Sequence, residues 1–295
     1  MPPLRLSPFW WHIDGVLAIS LDSRLDRREQ LAREFADIIP PEKFHFLPAV
    51  SGKEIPGFGQ RPWFRKGDGR RDANQAGRAG CVLSHRQAIA HARAARWKTV
   101  LILEDDAMLA PGSGHVLAHL HRFLDAPGAD GSSMARAGID VCYLGFTAPR
   151  GPTRHIASLG PAHDLHQIYG CLCTHAYLLR DTTCDWLLKR LPDEKSIWPW
   201  IARHRAIDRW YARNLARRLV VLAVSPGILA QRASHSDITG RLASVSRSAD
   251  FTVTLPCIRR SGMAWQYHAR LYSFRMMLAT GYDRLRAARK RMCGL

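Results

Sequence analysis

Three consecutive carboxylates, Glu104, Asp105 and Asp106, stand between the run "TVLIL" and the apolar Ala107, Met108 and Leu109. An apolar, β-branched run of this length reads as a buried strand, so the acids occupy its carboxyl end, where open α/β sheets bind ligands. Carboxylates this close can hold a hard divalent cation through oxygen and leave coordination positions for the diphosphate of a substrate. A cation there offsets charge growing on a departing diphosphate. Taken alone, such a triplet is more often an acidic turn or cap closing a strand than a metal site, and its context has to decide. Arg24, Arg27 and Arg28 follow another strand and open a helix, where guanidinium groups and free backbone N–H groups suit phosphate; a solvated helix face is the alternative for at least one of them. Ser84 and His85 invite a nucleophile-and-base reading, but adjacent residues on a helix do not face one another and no orienting third group is identifiable. Cys171 and Cys173 are too close and too isolated for a structural zinc site.

The elements that must position these residues alternate. "GVLAISL" (15–21) reads as a strand, and the stretch after it spaces Leu25, Leu31, Phe35 and Ile38 as a helix does. A second strand is expected at 43–52, then a Gly-rich basic loop over 57–77 that is too polar to be core. A helix from Gly80 to Arg96 leads into the acid-bearing strand. Beyond it the pattern predicts a helix at 114–124, a disorder-prone link at 125–138, a strand at 140–146, a strand and helix over 173–191, a polar helix near 203–218 and a strand at 219–225. Such alternation argues an α/β domain with a mainly parallel sheet. Residues 263–292 set Trp265, Leu271, Tyr272, Phe274, Met276, Met277, Leu278, Tyr282 and Leu285 among basic residues with the single acid Asp283, which reads as a basic amphipathic helix or helix pair.

Composition bounds the partners. The 295 residues, 46% hydrophobic, suffice for a substantial core. Lys and Arg number 43 against 25 Asp and Glu, a net +18 that favours nucleic acid, anionic lipid or phosphorylated substrates. No helix-turn-helix, zinc finger or aromatic-basic platform accompanies the charge, so a specific nucleic-acid partner is the weaker reading. Seven cysteines without paired spacing read as reduced thiols and a cytoplasmic setting. The apolar start of the chain is interrupted by Pro8, His12 and Asp14, and no run is long enough to span a bilayer, so neither a secretory signal nor a spanning helix is expected.

Six segments, in order around the acidic triplet, carry a resemblance with it: "AISLDSRLDRREQL" (18–31), "FLPAVSGKEI" (46–55) and "AGCVLSHRQAI" (79–89) before it, then "IYGCLCTHAYLLRDTTCDWLLKRLP" (168–192), "AIDRWYARNL" (206–215) and "VSPGILAQRASHSDI" (224–238). Together they resemble glycosyltransferase family 25, the lipopolysaccharide and lipooligosaccharide galactosyltransferase family, over about residues 15–240. The resemblance implies a GT-A-type nucleotide-sugar-binding α/β domain over 1–245, followed by a basic helical segment over 246–295. It implies an inverting transfer of a hexose, usually galactose, from UDP-galactose to a hydroxyl of a cell-surface glycan. Glu104, Asp105 and Asp106 match the motif for Mn2+ or Mg2+, with His235 as a further metal or phosphate contact. Asp208 matches the family's acid ahead of a helix and is the expected base, with Asp237 its competitor and a helix cap the alternative role. Ser84, His85 and Gln231 are expected at the donor site together with the three arginines, and Asp22 at the ribose or uracil. His175 lines that pocket or is a satisfied core histidine. Ser20 departs from the family's usual Asn between Ile19 and Leu21, though a hydroxyl still hydrogen-bonds. A catalytically inactive family member is the remaining alternative. The basic C-terminal segment is expected either to hold the enzyme on an anionic cytoplasmic leaflet of the inner membrane, where a lipid-linked acceptor would be presented, or to pack its apolar residues into the core.

Overall fold

A strand covered on both faces needs apolar residues at every position, and Gly15–Ser20 is buried along its whole length for that reason. The computed structural model describes residues 3–64, 69–125, 138–233 and 262–293. In chain order its elements are β1 (Gly15–Ser20), α1 (Leu25–Phe35), β2 (Phe44–Pro48), α2 (Gly69–Ala94), β3 (Thr99–Glu104), β4 (Ala107–Leu109) and α3 (Gly114–Asp125). There follow β5 (Val141–Gly145), β6 (Ala148–Ser158), β7 (Asp164–Leu172), β8 (Ala176–Arg180), α4 (Asp181–Leu188), α5 (Ile197–His204), α6 (Ile207–Asn214), β9 (Val221–Ser225), β10 (Leu229–Gln231) and α7 (Gly262–Cys293).

Eight strands form one sheet in the order β2-β1-β3-β8-β5-β9-β7-β6. β1 runs parallel to β2 and β3, and β5 runs parallel to β9; β8 and β7 run against their neighbours. Six strands therefore share one direction and two oppose it, so the sheet is mixed, with an all-parallel edge at β2-β1-β3. β4 and β10 pair antiparallel in a separate ribbon just beyond the acids. The sheet separates two cores. Leu17, Ile19, Val100 and Ile102 point to the side covered by α2, α4, α5 and α6. Val16, Ala18, Leu101 and Leu103 point to the side covered by α1 and α3.

Three expectations change. The Gly-rich loop ends at Gly69, because α2 begins eleven residues before Gly80. Phe64, within that stretch, is buried edge-on against Phe58 and Trp198. Close backbone approach holds α2 there: a Cβ on Gly52 would overlap the Ala76 carbonyl, and one on Gly80 the Val50 carbonyl. The hairpin β6-β7 escaped the periodicity reading because Pro149, Gly151 and Pro152 look like turn residues, which an edge strand tolerates. α5 likewise carries Pro199 in its first turn, where no intrahelical N–H bond is lost. The expected link at 125–138 falls almost wholly outside the described residues, as does the expected domain boundary at 245/246. The C-terminal segment forms one helix, α7, whose Trp265 and Asp283 are buried.

Candidate active site

The carboxyl ends of the three parallel edge strands, with α2 on one side, enclose a cleft of about 710 Å3. Ser20 from β1, Arg27 from α1, Ser51, Gly52 and Lys53 after β2, Arg70, Asn74, Cys81, Ser84 and His85 from α2, all three acids, and Gln231 from β10 line it. Of the residues expected from sequence, Ser20, Arg27, Ser84, His85, Glu104, Asp105, Asp106 and Gln231 meet here. Lys53, Arg70, Asn74 and Cys81 were not foreseen, although Lys53 lies in the quoted segment 46–55 and Cys81 one helical turn before His85.

The three adjacent acids are in three different states. Glu104 ends β3, and its backbone N–H donates to the His175 carbonyl at 2.9 Å. Its Oε1 meets His85 Nε2 at 3.3 Å and accepts from Thr174 Oγ1 at 3.4 Å, while Oε2 accepts from Gln231 at 3.5 Å. Burial raises this carboxyl, but the His85 hydrogen bond and the His85 and His175 charges outweigh it and hold the group below the usual carboxylate range. Asp105 is tied at both oxygens, to Arg27 at 2.7 Å and to Ser20 Oγ at 2.8 Å. Ser20, the departure from the family pattern, thus anchors an acid of the motif. Asp106 is the least compensated: its Oδ1 is buried without a hydrogen-bond partner. Burial, with the charges of Glu104 and Asp105, pushes its carboxyl up to about 7.

The supporting residues separate by role. Ser84 Oγ donates to the Gly80 carbonyl at 2.7 Å and accepts from Val50 N–H at 2.8 Å, tying α2 to the chain after β2. His85, 1% exposed, is oriented by the Tyr177 hydroxyl at 3.0 Å so that its other nitrogen faces Glu104. His175 is fully buried, its Nε2 bonded to the Leu229 carbonyl at 3.1 Å; burial lowers it, and it is placed as a core histidine behind the acids. Arg24 is engaged by Asp26, and Arg28 by Asp22 at 2.5 Å and the Ser20 carbonyl at 3.0 Å, so of the three arginines Arg27 alone lines the cleft. Asp208 sits in the first turn of α6, two residues beyond the N-cap Ala206. Its carboxylate accepts from the Cys173 N–H at 3.2 Å and the Arg209 N–H at 2.6 Å. It is near enough to the cleft that, after burial and Glu104, its charge raises the Cys81 thiol. His235 and Asp237 lie outside the described residues.

The donor chemistry accommodates a divalent cation. Asp106 offers an unpartnered oxygen beside the ionised Glu104, in a cleft that Arg27, Lys53 and Arg70 also line. Carboxylate oxygens suit Mn2+ or Mg2+. A softer set is also present, because Cys81, His85 and Glu104 bring one ligand atom each within 4.8 Å of one another.

No curated protein matches the chain. Two solved structures share partial likeness at a TM-score of 0.34. A197 from STIV is 9% identical, with 80% of this chain and 93% of that one covered. Mannose-1-phosphate geranyltransferase from Thermus thermophilus is 14% identical, with 72% and 73% covered. Neither bears on the assignment. The stretch from the residues before β1 through α3, which carries most of the cleft, is different: residues 13–134 match the family model described as Glycosyltransferase family 25 (LPS biosynthesis protein), so this segment of the chain is similar to that family.

Proposed function

We propose that the chain is an inverting glycosyltransferase that moves a hexose, galactose, from a UDP-sugar to a hydroxyl of a lipopolysaccharide or lipooligosaccharide acceptor, in a domain of GT-A type. The observation that carries this reading is the orphaned Asp106 Oδ1 beside the ionised Glu104, at the ligand-binding end of β3 and inside the segment that matches the family. Glu104 and Asp106 would hold the cation, Asp105 being occupied by Arg27 and Ser20. A divalent cation so bound supplies charge neutralisation at the leaving diphosphate. Lys53 and Arg70 add cationic contacts to the same phosphates, and Asn74 and Gln231 add amide groups.

Inversion requires a base on the face opposite the diphosphate to take the acceptor proton. Asp208 is our choice: its two backbone hydrogen bonds hold it in the first turn of α6, and its charge is felt at the cleft residue Cys81. The free thiols Cys81, Cys142, Cys171, Cys173 and Cys184 favour a reducing compartment, and we place the enzyme at the cytoplasmic face of the inner membrane. Because burial and neighbouring acids keep Cys81 a thiol, we assign the cation to the oxygen set; the Cys81, His85 and Glu104 set would instead select zinc.

The test is UDP release from UDP-galactose with a lipooligosaccharide acceptor, metal-stripped and then resupplied with manganese, magnesium or zinc in separate arms. Manganese or magnesium should restore turnover in the wild type and not in Asp106→Ala. Full turnover in EDTA by that variant would overturn the reading, and restoration by zinc alone would move the metal to the cysteine-containing set.

A further inference from the structure

Helix α7 carries two apolar faces. The inner one rests on the body of the protein: Trp265 is buried, Tyr272 packs edge-on against Tyr169 at 4.6 Å, Ser273 bonds the Tyr169 hydroxyl at 2.8 Å, and Asp283 pairs with Arg213 at 2.5 Å. The outer one faces solvent. Tyr267, Leu271, Phe274, Leu278, Tyr282 and Leu285 follow one another at helical spacings of three or four residues and are 43% to 73% exposed. Met277 and Met292 extend the patch, so among the described residues eight of the eleven exposed large hydrophobics lie on this one helix. Exposed apolar surface concentrated in this way marks an interaction site, whereas single exposed residues do not.

Charge selects the occupant. The helix holds seven Lys and Arg, and its single acid, Asp283, is buried against Arg213. Arg275 and Arg289 flank the outer stripe on one side and Arg270, Arg284 and Arg291 on the other, all exposed. A second copy packed on this stripe would set arginine against arginine with no acid between them. An anionic bilayer meets both requirements, taking the apolar ridge among its acyl chains and the flanking arginines among its headgroups. No helix among the described residues is long and apolar enough to cross a membrane, so the contact is made in the plane.

We propose that the outer face of α7 docks on an anionic lipid surface while its inner face remains anchored to the catalytic body. The proposal goes beyond the transferase reading and is tested without donor or acceptor. The full chain is floated with vesicles of phosphatidylcholine alone and of phosphatidylcholine with about one-third phosphatidylglycerol. The expected result is binding to the anionic vesicles only, weakened by salt. L278E/L285E should lower the vesicle partition coefficient at least about tenfold with an unchanged melting curve, since both side chains are exposed. R275Q/R289Q should lower it roughly fivefold for each charge removed. Equal flotation with neutral vesicles, no flotation at all, or flotation of L278E/L285E like the wild type would overturn the proposal. A wild-type dimer in sedimentation that L278E/L285E turns into monomer would also overturn it, giving the face to a second copy.

Discussion

The cleft and the outer face of α7 break the ordinary partition of side chains in opposite directions. At the end of β3 three half-buried acids and the buried Arg27 line a cleft, and on α7 eight large apolar side chains are left outside. Burying charge is costly unless it is paired, and leaving apolar area in water forgoes its transfer energy. The compensation differs accordingly. In the cleft, Glu104 and Asp105 are held by His85, Thr174, Ser20 and Arg27, and only Asp106 is left with an orphaned oxygen. On α7 no such network exists among the described residues of the outer face, and the inner face alone supplies the anchorage. The contrast teaches that the cleft is a preorganised site with one group left open for a ligand, whereas the helix surface is complete only against something outside the molecule.

The comparison can be tested by removing one element at a time. The largest effect is expected at the open group: Asp106→Ala should lower turnover about a thousandfold or more, the scale of losing an electrostatic stabiliser at the reacting charge, as read by UDP release. Next in size is the paired group. Arg27→Ala leaves Asp105, 10% exposed, without its cation and should cost about 3 kcal/mol in urea unfolding; Arg33→Ala, which removes the exposed pair with Glu29, should leave the unfolding midpoint in place.

A smaller, pH-dependent effect follows from Asp106. Its folded pKa, about 7, lies above its unfolded value, so the protonated state favours folding. That contribution is complete at acid pH and is lost as pH rises through about 7. In EDTA, Asp106→Asn should therefore melt higher than the wild type at pH 8, with the gain shrinking towards pH 5; a gain independent of pH would refute the assignment. The smallest stability change belongs to the outer face of α7, where Leu285→Glu should shift unfolding by less than about 0.5 kcal/mol in solution. Trp265→Ala on the inner face should cost about 3 kcal/mol.

Much of the scaffold was legible because its signals are local. β1, β3, β5 and β9 are covered on both faces, so each reads as an unbroken apolar run. β6 was not legible, because an edge strand accepts Pro149 and Pro152 and so imitates a loop. The start of α2 was hidden for a related reason: "GRRDANQ" is polar, and its helix is held by the backbone approach of Gly52 and Gly80 to residues distant in sequence. In the cleft, the acidic triplet and Arg27 carried type and spacing that pointed to the site. Lys53, Arg70 and Asn74 did not, since nothing local distinguishes a basic or amide residue in a polar stretch from a solvated one.

What the sequence by itself determined is a likeness to glycosyltransferase family 25 over residues 13–134, the alternation of strands and helices, and the position of the acids at a strand end, each written in residue types and short spacings. Only the tertiary structure decided that Glu104, Asp105 and Asp106 are chemically unlike, for their states depend on His85, Ser20 and Arg27, which reach them from other elements. It also decided which side of α7 is anchored, because both sides are apolar and only the packing of Tyr169, Arg213 and α5 against one of them leaves the other exposed. The physical reason is the same in both cases: a side chain's pairing and its burial are set by neighbours distant in the chain, and no local pattern records them.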